Sequence, residues 1–238
     1  MKNQHKLITT LLLGLSFCLS CAHESPSTTS ASQTQILISL DKSEFKKVKF
    51  FSRHFGENDW QGTLAMNIAY EPIKDLRRQM ESTLYRGNSL KFLTTWEARG
   101  EAHVTTITPV EYQECMWSEK RKIYTIHIKE IEKIALKYNI QSSDLKIKGV
   151  GFGRKKFDDR HRTDETHFII VNSDNLEKIR DEIYKLYQER KGKKDCWHPN
   201  KFYPHITIGY THKDLHFPDV EKNIEKSLDP RFKLDFTD

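Results

Sequence analysis

Two short stretches constrain this chain more than any other: His103-Val104-Thr105 and His205-Ile206-Thr207. In an extended strand successive side chains alternate faces, so each stretch turns an imidazole and a hydroxyl the same way and an apolar residue the other. The two are too far apart in the chain to form one local motif. They predict matching strands contributed by two halves of one domain, with the His-Thr faces meeting across a cleft.

The segments around them supply the frame. Leu64, Met66 and Ile68 alternate with smaller or polar residues and predict a strand over Gly62 to Tyr70, ended by Glu71-Pro72. Ile73, Leu76, Met80 and Leu84 have helical spacing, which predicts a helix with Arg77, Arg78 and Glu81 on its outer face. A strand region from Leu90 to Thr108, interruptible at Gly100, carries the first motif. A helix over Ile126 to Tyr138 follows, then a hairpin of Leu145 to Phe152 and Thr166 to Val171 with the charged run Arg154 to Glu165 as its loop. Leu176, Ile179, Ile183, Leu186 and Tyr187 predict a helix over Asp174 to Arg190, capped by Ser173 or Asp174, and Phe202 to Tyr210 delivers the second motif. Each half thus has a strand, a helix and a His-Thr strand. The expected fold class is α+β, with two pseudo-symmetric lobes of antiparallel sheet and outer helices around a central cleft.

Paired His-x-Thr motifs, each on a strand, resemble the 2H phosphoesterase superfamily, which includes RNA 2′,3′-cyclic phosphodiesterases and 2′-5′ RNA ligase-like proteins. The likeness covers about Gly62 to Tyr210; Thr106 departs from it, standing where an apolar residue is commoner. It implies a metal-independent phosphodiesterase acting on a 2′,3′-cyclic phosphate or a related nucleotide or RNA phosphoester, with no cofactor. His103 and His205 would be general acid and base, in an order the sequence leaves open. An unperturbed imidazole titrates near pH ~6.5, so one ring can be neutral while the other is protonated. Thr105 and Thr207 would donate hydrogen bonds to the non-bridging phosphoryl oxygens.

Strand parity adds further candidates. If the second strand stays regular, Lys201 and Tyr203 share the face of His205, Lys201 for phosphate and Tyr203 for stacking on a base, although Tyr203 would equally serve as core filling. On the first strand Arg99 and Glu101 share the face of His103, and Glu101 is placed to orient the imidazole. Cys196, His198, His205, His212 and His216 raise a zinc reading, but no Cys-x-x-Cys accompanies them and no metal is expected. Gly149, Gly151 and Gly153 lead into a charged loop and a strand, not a helix, so they predict close packing or a bulge and no dinucleotide loop. Two other classes remain open: a nucleotide or RNA-end binding module without turnover, and a structural envelope lipoprotein.

Composition bounds the remaining choices. At 238 residues with 37% hydrophobic side chains the chain can bury a core, and its net charge of +6 suits an anionic small ligand but not a duplex-binding stripe. Lys2 and Lys6 precede an apolar run from Leu7 to Leu19, the layout of an export signal. Residues 1–21 read as a signal peptide, 22–60 as a linker with an unassigned extension, and 61–238 as a single bilobal domain. Processing is expected before Cys21, giving a lipid tether, with cleavage after Ala22 as the alternative. The expected location is the cell envelope or periplasm, as a monomer with no protein partner. Cys115 and Cys196 could there form a disulfide or remain two buried thiols.

Overall fold

In a computed structural model, residues 35–48, 63–93, 100–118, 123–158 and 161–237 are described. In chain order they form β1 (Ile36–Asp41), β2 (Leu64–Ile68), α1 (Tyr70–Leu84), β3 (Ala102–Ile107), α2 (Pro109–Glu111), β4 (Trp117–Ser118), β5 (Ile123–Tyr124), α3 (Ile128–Lys137), β6 (Lys146–Phe157), β7 (Arg162–Asn172), α4 (Asp174–Glu189), β8 (His205–Tyr210), α5 (Ile224–Ser227) and β9 (Phe232–Thr237). The leader with Cys21, most of the linker, and Arg99 lie outside the described residues.

The fold is α+β, and its centre is a five-stranded antiparallel sheet in the order β2-β3-β8-β7-β6. The two halves of the chain meet inside this one sheet, at the pairing of β3 with β8. Ala102 and Val104 of β3, Ile206 of β8 and Ile169 and Val171 of β7 are buried in the main core together with Leu176, Ile179 and Ile183 of α4 and Ile73, Leu76 and Met80 of α1. The alternate residues Phe168 and Ile170 of β7 belong to a second, smaller apolar cluster with Leu215 and Val220. The segment following β8 therefore covers part of the other sheet face.

Several local differences from the sequence expectations have plain causes. The strand before α1 ends at Ile68, and Glu71-Pro72 open the helix. The first helical turn has no intrahelical partner for its N–H groups, so a proline there forfeits nothing. Arg77, expected outside, is 6% exposed. Its guanidinium lies 3.8 Å from the centre of the Phe92 ring and donates to Tyr70 Oη at 2.7 Å, so a cation is buried on aromatic faces. Both ends of the charged run are strand, not loop: Arg154 pairs with Glu165 and Lys155 with Asp164 in register, and Arg154 Nε donates to Glu165 Oε1 at 2.8 Å. Ser173 caps α4, its hydroxyl accepting from Leu176 N.

Residues 36–41, which the sequence leaves unassigned, form a parallel pair with β9, and Phe45 is buried in the main core. Cys115 and Cys196 are joined in a disulfide. The nearby Arg180 of α4, 1% exposed, is the polar anchor of this region. It pairs with Glu111 at 2.8 Å and donates to the carbonyls of Thr106, Pro199, His198 and Lys201. One guanidinium thus fixes the end of β3 and the approach to β8, the two strands that carry the motifs.

Candidate functional site

The register of β3 against β8 pairs Val104 with Ile206. In an antiparallel pair this puts His103 across from Thr207 and Thr105 across from His205, with all four side chains on one face and opposite Cβ atoms about 5 Å apart. The motifs are brought together side by side on one sheet face, each imidazole opposite the other motif's hydroxyl. Ala102, Val104 and Ile206 are buried on the reverse, while His103 and Thr105 are half-buried. Alternation by itself builds this face, because the residues that anchor each strand in the core are the neighbours of the His and Thr residues of the motifs.

The two histidines have different surroundings. His103 Nδ1 lies 2.6 Å from Glu101 Oε1; the carboxylate can only accept, so Nδ1 carries the hydrogen and Nε2 is the ring nitrogen left to exchange a proton. Glu101 therefore sits where strand parity expects an orienting carboxylate. His205 Nδ1 donates to the carbonyl of Tyr203 at 2.7 Å, which fixes the same tautomer, but its Nε2 lies 3.1 Å from the ammonium of Lys222. Burial, then the Lys222 charge, hold His205 well below its ordinary value, so its ring is neutral near pH 7.

Lys222, Asp214 and His216 reach the site from the covering segment. Lys222 donates to Asp214 Oδ1 at 3.0 Å, and the same carboxylate accepts from Thr166 Oγ1 at 2.5 Å and Thr207 Oγ1 at 3.1 Å. His216 Nε2 is 3.9 Å from Asp214 Oδ2. Within the pair the opposing effects resolve differently. Burial alone would raise the Asp214 carboxyl, but Lys222, His216 and the Thr166 hydrogen bond hold it far below the carboxylate range; at Lys222 burial outweighs the pairing and lowers the ammonium. Phe168 meets His205 edge to face, with ring centres 5.7 Å apart.

The sequence-derived candidates are not all placed as expected. Thr105 is half-buried on the site face, whereas Thr207 is buried and its hydroxyl donates a hydrogen bond to Asp214. Strand β8 begins only at His205, so strand parity does not reach Lys201 or Tyr203. The carbonyls of residues 198, 199 and 201 are held by Arg180 instead of a neighbouring strand. Lys201 is exposed there; Tyr203 is half-buried, holds His205 through its carbonyl, and stacks on the exposed Phe217 with ring centres 6.1 Å apart. Of the residues in the zinc reading, Cys196 is bound in the disulfide. Among the described residues no group of three or more His, Cys, Asp or Glu is placed to hold a metal ion.

Two strand-borne His-x-Thr arrays thus share one sheet face of an α+β domain, the arrangement expected of a phosphoesterase-type site. Residues 62–216 match the family model described as Swiss Army Knife, 2H phosphoesterase domain, and the chain belongs to that family. No curated protein and no solved structure matches it. The family supports a phosphodiesterase-type hydrolase acting on phosphoester substrates.

Proposed function

We propose that this protein hydrolyses a 2′,3′-cyclic nucleotide phosphate, or a closely related RNA-end phosphoester, with His205 as general base and His103 as general acid. The observation that carries the assignment is the unequal setting of the two rings: His205 is kept neutral with its Nε2 lone pair toward a cation, whereas His103 gives its Nδ1 hydrogen to a carboxylate. A neutral Nε2 can take a proton from water as the water oxygen bonds to phosphorus. An imidazole backed by Glu101 can carry a proton at Nε2 with its charge compensated. As the P–O bond to one ribose oxygen breaks, that oxygen takes the His103 proton, and the product is a phosphomonoester. Thr105, across from His205, donates to a non-bridging oxygen, and Tyr203 with Phe217 offers an aromatic surface for the base, with Lys201 as an outer phosphate contact. Both proton transfers are given to imidazoles, so turnover is expected without added metal.

A panel of 2′,3′-cyclic nucleotides, 2′-5′-linked oligonucleotides and nucleotide-sugar phosphoesters, assayed with a chelator present, tests this reading. Phosphomonoester release from the cyclic nucleotides is the expected result; saturable binding without any product would replace the enzyme by a binding module. The proposal extends to location, as an exported lipoprotein tethered through Cys21. The Cys115–Cys196 disulfide supports an oxidising compartment. A Cys21→Ser variant that still fractionates with membranes would remove the tether.

A further inference from the structure

The family match ends at residue 216, yet the side chain in contact with the base nitrogen is Lys222, beyond it. Lys222 is 2% exposed and Asp214 7%. A buried ion pair is weak support for stability by itself, because desolvating two charges offsets most of their attraction. Its position argues for a different use. A base nitrogen must come within hydrogen-bond reach of the attacking oxygen, which is itself close to phosphorus. An ammonium 3.1 Å from that nitrogen is therefore within a side-chain movement of the non-bridging oxygens. The hydroxyl that would otherwise serve those oxygens from the second motif, Thr207, is committed to Asp214, as is Thr166. Asp214 thus has three donors, and the one among them that can carry positive charge to an anion is Lys222.

Resting on the phosphoesterase reading, we propose that Lys222 is the phosphoryl-binding cation of this site, seated by Asp214 and lodged on His205 Nε2 until an anionic substrate draws it onto a non-bridging oxygen. In the unliganded protein the ammonium occupies the base. When a phosphodiester enters, Lys222 transfers its hydrogen bond from Nε2 to the anion, and the lone pair becomes available to water. Substrate charge thereby exposes the base that acts on it, and a neutral ester would leave it capped. Thr166 and Thr207 act through Asp214 as positioning residues.

Among the described residues, the charged and titratable groups around His205 are Lys222, Asp214 and His216 from the covering segment and, from the adjacent strand β3, His103 with Glu101; β7 contributes the apolar Phe168. The test uses the full chain, its Lys222→Met and Lys222→Arg variants, and the double variant Lys222→Met/Asp214→Asn, which leaves no lone buried charge should the single change fail to fold. Two readouts are taken: NMR titration of the His205 imidazole with and without inorganic phosphate, and kinetics on a 2′,3′-cyclic nucleotide. Phosphate should raise the His205 midpoint in wild type. Loss of Lys222 should raise it without phosphate, weaken phosphate binding roughly tenfold or more, and lower kcat/KM about 10²-fold; Lys222→Arg should recover part of each. Wild-type phosphate affinity with an unmoved His205 midpoint in either Met variant would overturn the proposal. Absence of turnover in wild type would sink the phosphoesterase reading, yet leave the phosphate titration to decide the role of Lys222.

Discussion

Glu101 and Lys222 stand against the two imidazoles with opposite charge, and the roles proposed for the two rings rest on that difference. Replacing Glu101 by Gln keeps the size of the side chain but lets the amide offer a donor or an acceptor, so the His103 tautomer and ring angle are no longer fixed. The expected outcome is a loss of about 10²-fold in kcat with little change in KM, read by steady-state kinetics on a cyclic nucleotide; an unchanged kcat would reduce Glu101 to a bystander. Parity made His103, Thr105 and Glu101 legible, because alternation on one strand follows directly from the order of residues. Asp214 and Lys222 were not legible. Neither sits on a periodic element, and a lysine that ends up buried has the same letter as a solvated one. The acceptor of the Thr207 hydroxyl was equally hidden, since it is a carboxylate brought in by a later loop.

Elements place these residues by sharing partners across the sheet. Gly151 of β6 shows how tightly: a Cβ there would stand 2.1 Å from Phe168 Cε2, and Phe168 in turn packs against His205. Gly151→Ala should cost about 1–3 kcal/mol through overpacking, seen as a lower midpoint in chemical denaturation. A stability equal to wild type would mean that β6 and β7 do not approach as described. The glycine run on β6 was readable as close packing, and Gly153 faces Val220 in the same manner. The extent of the hairpin was not, because opposite charges paired across two strands look like a solvated loop when read along one chain. The start of β8 was also misjudged: nothing local to Lys201-Phe202-Tyr203 reveals that Arg180, on another element, takes the carbonyls leading into the strand.

At the scale of the whole molecule, neutral imidazoles, above all the buried His167, set a lower pH limit on stability. His167, fully buried beside Tyr85 and Phe152, is pushed down to about 4 by burial, and His205, half-buried on the site face, is lowered for the same first reason. These groups take up protons in the unfolded chain below pH ~6.5 but resist doing so in the folded one, so folding free energy is lost as pH falls from there toward 4. His167 by itself accounts for a loss on the order of 3 kcal/mol once pH is below 4. Urea denaturation at pH 7 and pH 5 should show the weaker protein at pH 5; equal stabilities would contradict the burial of His167 as a neutral ring. Fold class and the convergence of the two motifs were legible because both rest on alternation and order. The single shared sheet, the β1–β9 pair and the covering segment depend on contacts between distant parts of the chain, which no local pattern encodes.

The central claim is that two imidazoles on adjacent strands perform both proton transfers at a phosphoester. It is tested most directly by kcat/KM on one 2′,3′-cyclic nucleotide for wild type, His103→Ala and His205→Ala, each confirmed folded by circular dichroism. The account predicts measurable wild-type turnover and a fall of about 10²- to 10⁴-fold in each variant. Turnover that survives either substitution at the wild-type rate would contradict it.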